Sequence, residues 1–303
     1  MKRAGTVALC TAGLLTAAFL LFAGLTACTA DPNRSLEMRQ ARTPLSGTRE
    51  SLSVVSYNIQ ARPLLDACAW KSIRIGERLK RYNLVGLQET FHAHDSLFER
   101  NALHGEVYFG RRRHGLKLVN SGLAILSRFP IEEARAEYFE EEGSLENRLG
   151  SKGVLLARIR INGSVLDFYT THLAAGTPES SGEARKDELR QIAEFIQRNS
   201  PQENAVILCG DFNLTLRSPD GELGKFLTRT GLSDPAKELN CEKQTFIDHL
   251  FYRSGDALRL RPRIWRLLKQ EFTEQETGAL SDHHPLLVEF DLLNQESETA
   301  VRP

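Results

Sequence analysis

Six short apolar stretches of this chain each end in side chains able to bind metal or carry protons. Ser56-Tyr57-Asn58 closes the first and Leu87-Gln88-Glu89 the second. Tyr169-Thr170-Thr171-His172-Leu173, Gly210-Asp211-Phe212-Asn213 and Ile247-Asp248-His249-Leu250 follow, and Ser281-Asp282-His283-His284-Pro285 is last. Short apolar runs rich in β-branched residues read as buried strands. A polar group at the end of such a strand stands on a rigid platform, and ligand sites gather there in layered α/β proteins. The pattern therefore constrains fold and function together.

Strand signals occupy 51–58, 84–87, 107–110, 122–126, 205–209, 248–252 and 286–290. Asn162-Gly163, between the runs 153–161 and 164–171, predicts a hairpin turn. Helical spacing predicts helices over 70–81, where Ile73, Ile75 and Leu79 recur, and over 183–199, where Leu189, Ile192, Ala193 and Ile196 share a face. A helical turn is expected over 97–101. A further helix is expected across 264–272, from the spacing of Ile264, Leu267, Leu268 and Phe272. No Gly- or Pro-rich break and no repeat divides 52–292, so one α/β domain of layered sheets is expected.

The chain has 303 residues, 39 Lys and Arg against 39 Asp and Glu, and 41% apolar residues. That suits a folded domain and excludes a coiled coil, a collagen-like rod and a long disordered tail. The neutral balance argues against a dedicated nucleic-acid binder, which carries a basic excess, while leaving room for a local basic groove. The start of the chain differs. Lys2 and Arg3 precede an apolar run over 7–27, the pattern of a secretory signal. The run is also long enough to cross a bilayer, so an uncleaved anchor is the alternative. Leu25-Thr26-Ala27-Cys28 resembles a bacterial lipoprotein processing box, in which the cysteine becomes the new N-terminus and carries lipid. Thr29 stands where many inner-membrane lipoproteins have Asp, which points by the same resemblance to the outer membrane. The expectation is a bacterial cell-envelope protein, lipid-anchored through Cys28. Its expected parts are a signal over 1–27, a polar tether over 28–50, the folded domain over 51–292 and a tail over 293–303.

Of the five cysteines, Cys10 would leave with the signal and Cys28 would take the lipid. Cys209 reads as a buried small hydrophobe. Cys68 and Cys241 could pair outside the cytoplasm.

The strand-end groups divide by chemistry. Glu89, Asp211, Asn213 and Asp282 are hard oxygen donors that suit Mg²⁺ or Mn²⁺; zinc prefers histidines and thiolates. His172 and His283 can move protons near neutral pH. Singly, each has a plain reading: Asn58 as a turn cap, Glu89 as a helix N-terminal carboxylate, Asp211 with Asn213 as an Asx-turn. Taken in order, with Ser121-Gly122-Leu123-Ala124-Ile125-Leu126-Ser127-Arg128 among them, the motifs resemble the endonuclease/exonuclease/phosphatase superfamily. That group includes DNase I-like nucleases, inositol polyphosphate phosphatases and neutral sphingomyelinases. The resemblance spans about 52–290. It implies a four-layered α/β sandwich with two central mixed β-sheets flanked by helices, and metal-dependent hydrolysis of a phosphoester.

Residue by residue, the resemblance makes Glu89 the principal Mg²⁺ ligand, assisted by Asn58. Asp211, Asn213 and Asp282 fall on the other side of the phosphate, with a second ion left open. His283 is the implied base that activates water, oriented by Asp248, and His172 the implied donor to the phosphoryl oxygens. His249 stands where many relatives have Tyr and reads as structural. His92, His94, His104 and His114 read as surface residues of loops.

Three substrates stay open. A phospholipid at a membrane surface is favoured by the tether and by two segments. Ser151-Lys152-Gly153-Val154 resembles part of the neutral sphingomyelinase branch and would set Lys152 near a phosphate; a plain turn is its other reading. Trp265 and Phe272 fall where bacterial sphingomyelinases carry a membrane-contacting hairpin; a buried amphipathic helix is theirs. Nucleic acid is the rival substrate, with Arg111-Arg112-Arg113-His114 and Lys117 as backbone contacts, and a soluble inositol phosphate is third. A module that only binds would have lost chemical residues, yet Glu89, His172, Asp211, Asn213, Asp248 and His283 all stand. No protein partner is expected, and the chain reads as a monomer.

Overall fold

Two of the strands, Leu84–Gln88 and Ala205–Asp211, are buried along their whole length. A strand buried on both faces needs a layer above it and a layer below. The computed structural model describes residues 36–293 except 64, 66–67, 92–93, 100, 102, 111–116, 141–142, 144, 217–219 and 242–245. Its first strands are β1 (Leu36–Arg39), β2 (Ser51–Asn58), β3 (Leu84–Gln88), β4 (Gly105–Phe109), β5 (Ala124–Ser127), β6 (Ile131–Tyr138) and β7 (Gly153–Ile161). The others are β8 (Ser164–His172), β9 (Ala205–Asp211), β10 (Asp248–Arg253), β11 (Arg259–Leu267), β12 (Thr273–Glu274), β13 (Gly278–Ala279) and β14 (Leu286–Leu293). The helices are α1 (Ala69–Leu79), α2 (His94–Glu99), α3 (Leu145–Leu149), α4 (Pro178–Asn199), α5 (Glu222–Thr230) and α6 (Pro235–Glu238).

One sheet has the order β1-β4-β5-β3-β2-β14-β11, a second the order β10-β9-β8-β7-β6, and β12 and β13 pair apart. Both large sheets are mixed, through parallel β2 and β3 in the first and parallel β8 and β9 in the second. Their facing sides bury a common core that includes Val54, Phe109, Leu155, Phe168, Ile207 and Phe290. The outer side of the first packs Val85 and Leu87 against Ile75 and Leu79 of α1. The outer side of the second packs Tyr169, Leu208 and Phe251 against Leu189, Ile192 and Ile196 of α4. The result is a four-layered α/β sandwich with two central mixed sheets.

Local chemistry agrees with this plan. Asn162 and Gly163 have φ of 52° and 79°, the left-handed pair that a two-residue hairpin turn needs. The side chain of Thr177 caps α4 by accepting from Ser180 N, and Pro178 fills the first turn, where a missing N–H costs nothing. Register then sets the polar strand ends along one edge. Asn58 lies opposite Gln88 and Ser56 opposite Leu286 in the first sheet. His172, Asp211 and Asp248 are direct neighbours across β8, β9 and β10 in the second.

The stretch 264–272 is not the helix that its spacing predicts. β11 runs through Leu267 and pairs along β14, with a bulge between Pro262 and Ile264. Arg259, Arg261 and Arg263 alternate with Leu260 and Pro262, which is strand period. The bulge adds a residue and turns that period into an apparent helical one. Phe272 is not a membrane contact either: it is 3% exposed and meets Tyr57 edge-on, with ring centroids 5.2 Å apart. Trp265 is half-buried, packing on the core between the sheets and on Phe246 at 5.3 Å.

Part of the stretch 28–50 expected as a tether belongs to the fold. Leu36 to Arg39 pair with β4, Ala41 is buried, and Leu45 N donates to Arg128 O at 2.7 Å. An edge strand is held by backbone pairing, so polar side chains concealed it. Cys68 and Cys241 are free rather than paired, and Cys209 is buried as expected. His104 is not a surface residue: its ring lies between Asn101 Oδ1 at 2.6 Å and the Tyr82 carbonyl at 2.8 Å, and burial lowers its pKa to about 4. His92, His114, the His94 side chain and Arg111-Arg112-Arg113 lie outside the described residues, as does the apolar run 7–27. Among the described residues no helix is long and apolar enough to cross a membrane.

Phe272→Ala is expected to lower stability by about 3–5 kcal/mol in denaturant unfolding, the cost of emptying a packed aromatic site. A loss under about 0.5 kcal/mol, typical of a surface position, would return the ring to the surface.

Candidate active site

Three adjacent strands deliver His172, Asp211 and Asp248 side by side, and Asp211 is only 2% exposed. Asp211 Oδ1 accepts from Asn213 N at 3.0 Å, the Asx-turn foreseen as one reading of the pair. Its Oδ2 faces three groups: Asn58 Nδ2 at 3.2 Å, His172 Nε2 at 3.5 Å and His283 Nε2 at 3.7 Å. Asn58 belongs to the other sheet, and its amide also donates to Glu89 Oε1 at 3.1 Å. One amide thus joins a carboxylate from each sheet. Beneath it, Gln88 Nε2 donates to Thr170 Oγ1 at 2.9 Å, a second tie across the sandwich.

His283 comes from the loop before β14. Ser281 pins that loop by donating to the Asn58 carbonyl at 2.8 Å and accepting from His283 N at 3.1 Å. His283 Nδ1 lies 2.7 Å from Asp248 Oδ2. Burial alone would lower the His283 pKa, but the hydrogen bond and charge of Asp248, helped by Asp211 and Asp282, raise it to about 9. His172 moves the other way: burial, then the charges of Lys152 and His283, hold it well below the ordinary imidazole value. It is neutral at neutral pH and can donate a hydrogen bond. Burial, and then the neighbouring Asp248 charge, push the Asp211 carboxyl above its ordinary range.

Asp211, Asp248 and His283 offer ligand atoms that all lie within 4.8 Å of one another, a divalent-metal site by geometry. Glu89 offers a further donor. Its Oε2 is buried without a hydrogen-bond partner, and burial raises its pKa although Asn58 opposes the shift. An orphaned carboxylate oxygen fits a hard cation. Backbone strain collects here too: Gln60, Glu89 and Asn213 hold φ of 51°, 54° and 49°, at about 1–3 kcal/mol each. A Cβ on Gly122 would stand 2.9 Å from the Phe91 ring and 3.1 Å from Glu89 Cα. Only glycine lets the chain pass so close behind Glu89.

The structure therefore gathers Asn58, Glu89, His172, Asp211, Asp248 and His283. Asn213 adjoins them through its backbone, while its side chain donates to the Leu173 carbonyl at 3.1 Å. Lys152 also sits behind His172, with Nζ 2.5 Å from Leu173 O. Asp282 lies outside the close group of ligand atoms. It is exposed, and its carboxylate accepts from Gln60 Nε2 at 2.8 Å. Gln60 returns the contact by accepting from Asp282 N at 3.1 Å. No sequence signal singles out Gln60, because its partner lies on a distant loop. Glu188 escapes notice for a similar reason, as a charged residue in a charged helix. It is fully buried, accepts from Ala174 N at 2.8 Å, and is pushed by burial to about 8. His249 is structural as expected, with Nε2 2.8 Å from Leu214 O and its ring stacked on Phe251.

Residues 55–283 match the Endonuclease/Exonuclease/phosphatase family. The chain is 26% identical over 271 residues to a sphingomyelinase of Mycobacterium tuberculosis, covering 82% of this chain and 54% of that protein. It thus spans about half the length of the curated relatives it first matches. Sphingomyelinase C from Streptomyces griseocarneus superposes with a TM-score of 0.58 at 19% identity, over 79% of this chain and 99% of that one. D. rerio TDP2 complexed with single-strand DNA product superposes with a TM-score of 0.62 at 19% identity, over 80% and 100%. At these identities the structural likeness is one of fold.

The His283–Asp248 pair makes a pH prediction for the metal-free protein. An imidazole NMR titration should place His283 near 9, and Asp248→Asn should bring it down toward or below 6.5. Because the folded-state value is raised, the pair stabilises the fold fully below the unfolded value. That stabilisation disappears as pH rises through the folded one. An unchanged His283 titration in the variant would contradict the pairing.

Proposed function

We propose that this chain, which belongs to the Endonuclease/Exonuclease/phosphatase family, is a metal-dependent phosphodiesterase whose substrate is a membrane phospholipid such as sphingomyelin, cut in the manner of a phospholipase C. The observation that carries the chemistry is His283, paired with Asp248 and facing Asp211, whose Oδ2 accepts from the same Asn58 amide that donates to Glu89. The lipid reading is supported by the sphingomyelinases among the relatives, matched over most of this chain. The Leu25-Thr26-Ala27-Cys28 box supports it as well, since lipid on Cys28 would keep the domain at an envelope membrane, the outer one by Thr29.

Glu89, assisted by Asn58, is the residue that would hold Mg²⁺ or Mn²⁺. A ligand at Glu89 leaves His283 Nε2 open, whereas a cation taken by His283 itself would block the base. When bound, the ion offsets negative charge on the phosphoryl oxygens. In its neutral form His283 acts through Nε2, taking a proton from the attacking water; the charge of a bound cation would favour that form by lowering the value of about 9 that Asp248 sets. Asp248 fixes the tautomer by accepting from Nδ1 and stabilises the imidazolium that forms. Neutral His172 donates a hydrogen bond where charge develops on the phosphoryl group. Asn213 N fixes the Asp211 carboxylate between the two imidazoles. Lys152 contributes positive charge behind His172. In-line attack by water needs no nucleophilic side chain.

The test is a parallel assay of purified protein, with Mg²⁺ and with EDTA, on sphingomyelin vesicles, phosphatidylcholine vesicles, plasmid DNA and inositol phosphates. Sphingomyelin hydrolysis that EDTA abolishes is expected. His283→Ala should lower turnover by about 10²–10⁴-fold, the range of general-base catalysis, with the circular dichroism spectrum of the folded protein retained. DNA cleavage without lipid cleavage would overturn the substrate, and retained turnover in the variant would overturn the base.

A further inference from the structure

Six large hydrophobic side chains are exposed among the described residues, and four of them sit on the edge that carries the site. Leu65, 75% exposed, lies in the loop that leaves β2, and Trp70, 43% exposed, in the first turn of α1. Leu118 and Leu149, 50% and 38% exposed, lie in the segments that lead into β5 and β7. Leu118 N donates to Leu149 O at 2.8 Å, so these two residues are neighbours. The two pairs flank Glu89: Ala61 N donates to the Glu89 carbonyl at 3.1 Å on one side, and Thr90 N donates to Gly122 O at 2.9 Å on the other. Single exposed leucines are ordinary, but apolar side chains grouped around one mouth mark an interaction surface.

The domain also begins at this edge. Leu36 lies opposite Phe109, β4 runs antiparallel to β5, and β5 antiparallel to β3. Leu36 therefore stands at the end where β3 runs out into Glu89. Seven residues separate Cys28 from Leu36, and that stretch spans roughly 27 Å at full extension. The longer strands of this sheet are themselves roughly 26 Å long. A chain joining at the opposite edge would set the whole sheet between anchor and site; joining here sets nothing between them.

We propose that this edge is a membrane-docking face. Leu65, Trp70, Leu118 and Leu149 contact a phospholipid leaflet, and the short segment from Cys28 holds the mouth of the site against the membrane that bears the anchor. The proposal rests on the lipid-substrate and Cys28 readings above. It assigns the membrane contact to loops around Glu89 rather than to Trp265 and Phe272, and it makes the lipids of the anchoring leaflet the substrate pool.

The test uses the full, lipidated chain in phosphatidylcholine–sphingomyelin vesicles that contain a brominated-chain phosphatidylcholine quencher. Leu118→Trp adds a reporter at the face. Gln202→Trp adds one at the opposite edge, where α4 leads into β9. Fluorescence added by Leu118→Trp should be quenched and that added by Gln202→Trp should not; no difference between them overturns docking. Combined Leu65→Ser, Leu118→Ser and Leu149→Ser should lower vesicle turnover by about tenfold or more. Turnover of water-soluble bis-nitrophenyl phosphate and the melting temperature should hold. Unchanged vesicle turnover, or equal loss on both substrates, overturns the proposal. Quenching needs no catalysis, so a chain quenched at position 118 that cuts no lipid refutes the substrate reading and leaves docking intact.

Discussion

Asp211 is a carboxylate almost out of reach of water, and a buried charge costs several kcal/mol unless its neighbours compensate it. The compensation comes from both halves of the sandwich. Asn213 and His172 are supplied by the second sheet, Asn58 by the first, and His283 by the loop before β14. The site is therefore complete only where the two sheets meet. Register is equally constrained. His172, Asp211 and Asp248 share a row across three strands, and a slip of one residue in any of them would turn its side chain to the other face.

The two imidazoles beside Asp211 show how partners divide roles that burial alone would make equal. Burial disfavours the charged form of each. His172 has Lys152 nearby and stays neutral, whereas His283 has Asp248 on Nδ1 and is held well above the ordinary range. Environments that push paired groups apart in pKa separate a hydrogen-bond donor from a proton acceptor. Lys152 is itself held by the Leu173 carbonyl, next to the backbone that Glu188 secures at Ala174. The helix α4 therefore supports the site from behind, through a buried carboxyl group and not only through its apolar face.

Much of this was legible in the sequence because its signals are local. Strand periodicity, the Asn162-Gly163 turn and the face of α4 need only near neighbours, and each polar strand end could be marked as it occurred. What failed depended on contacts distant in the chain. β1 is held by backbone pairing to β4 and leaves little trace in side-chain pattern. β11 carries a bulge that disguises its period. Phe272 is apolar wherever it sits, and only packing on Tyr57 shows that it is core. Asp282 reads as a ligand, and only the structure shows that Gln60, far away in sequence, donates to its carboxylate. Exposed Leu65 and Leu118 could not be told from core leucines by residue type.

The central claim is that Glu89 holds the catalytic cation while His283 stays free to accept a proton. Anomalous diffraction from a Mn²⁺-soaked crystal tests it most directly. The predicted result is a peak at bonding distance from Glu89 Oε2, with His283 still hydrogen-bonded to Asp248 and carrying no metal. A peak bonded to His283 within the Asp211–Asp248–His283 cluster, with Glu89 left empty, would contradict it.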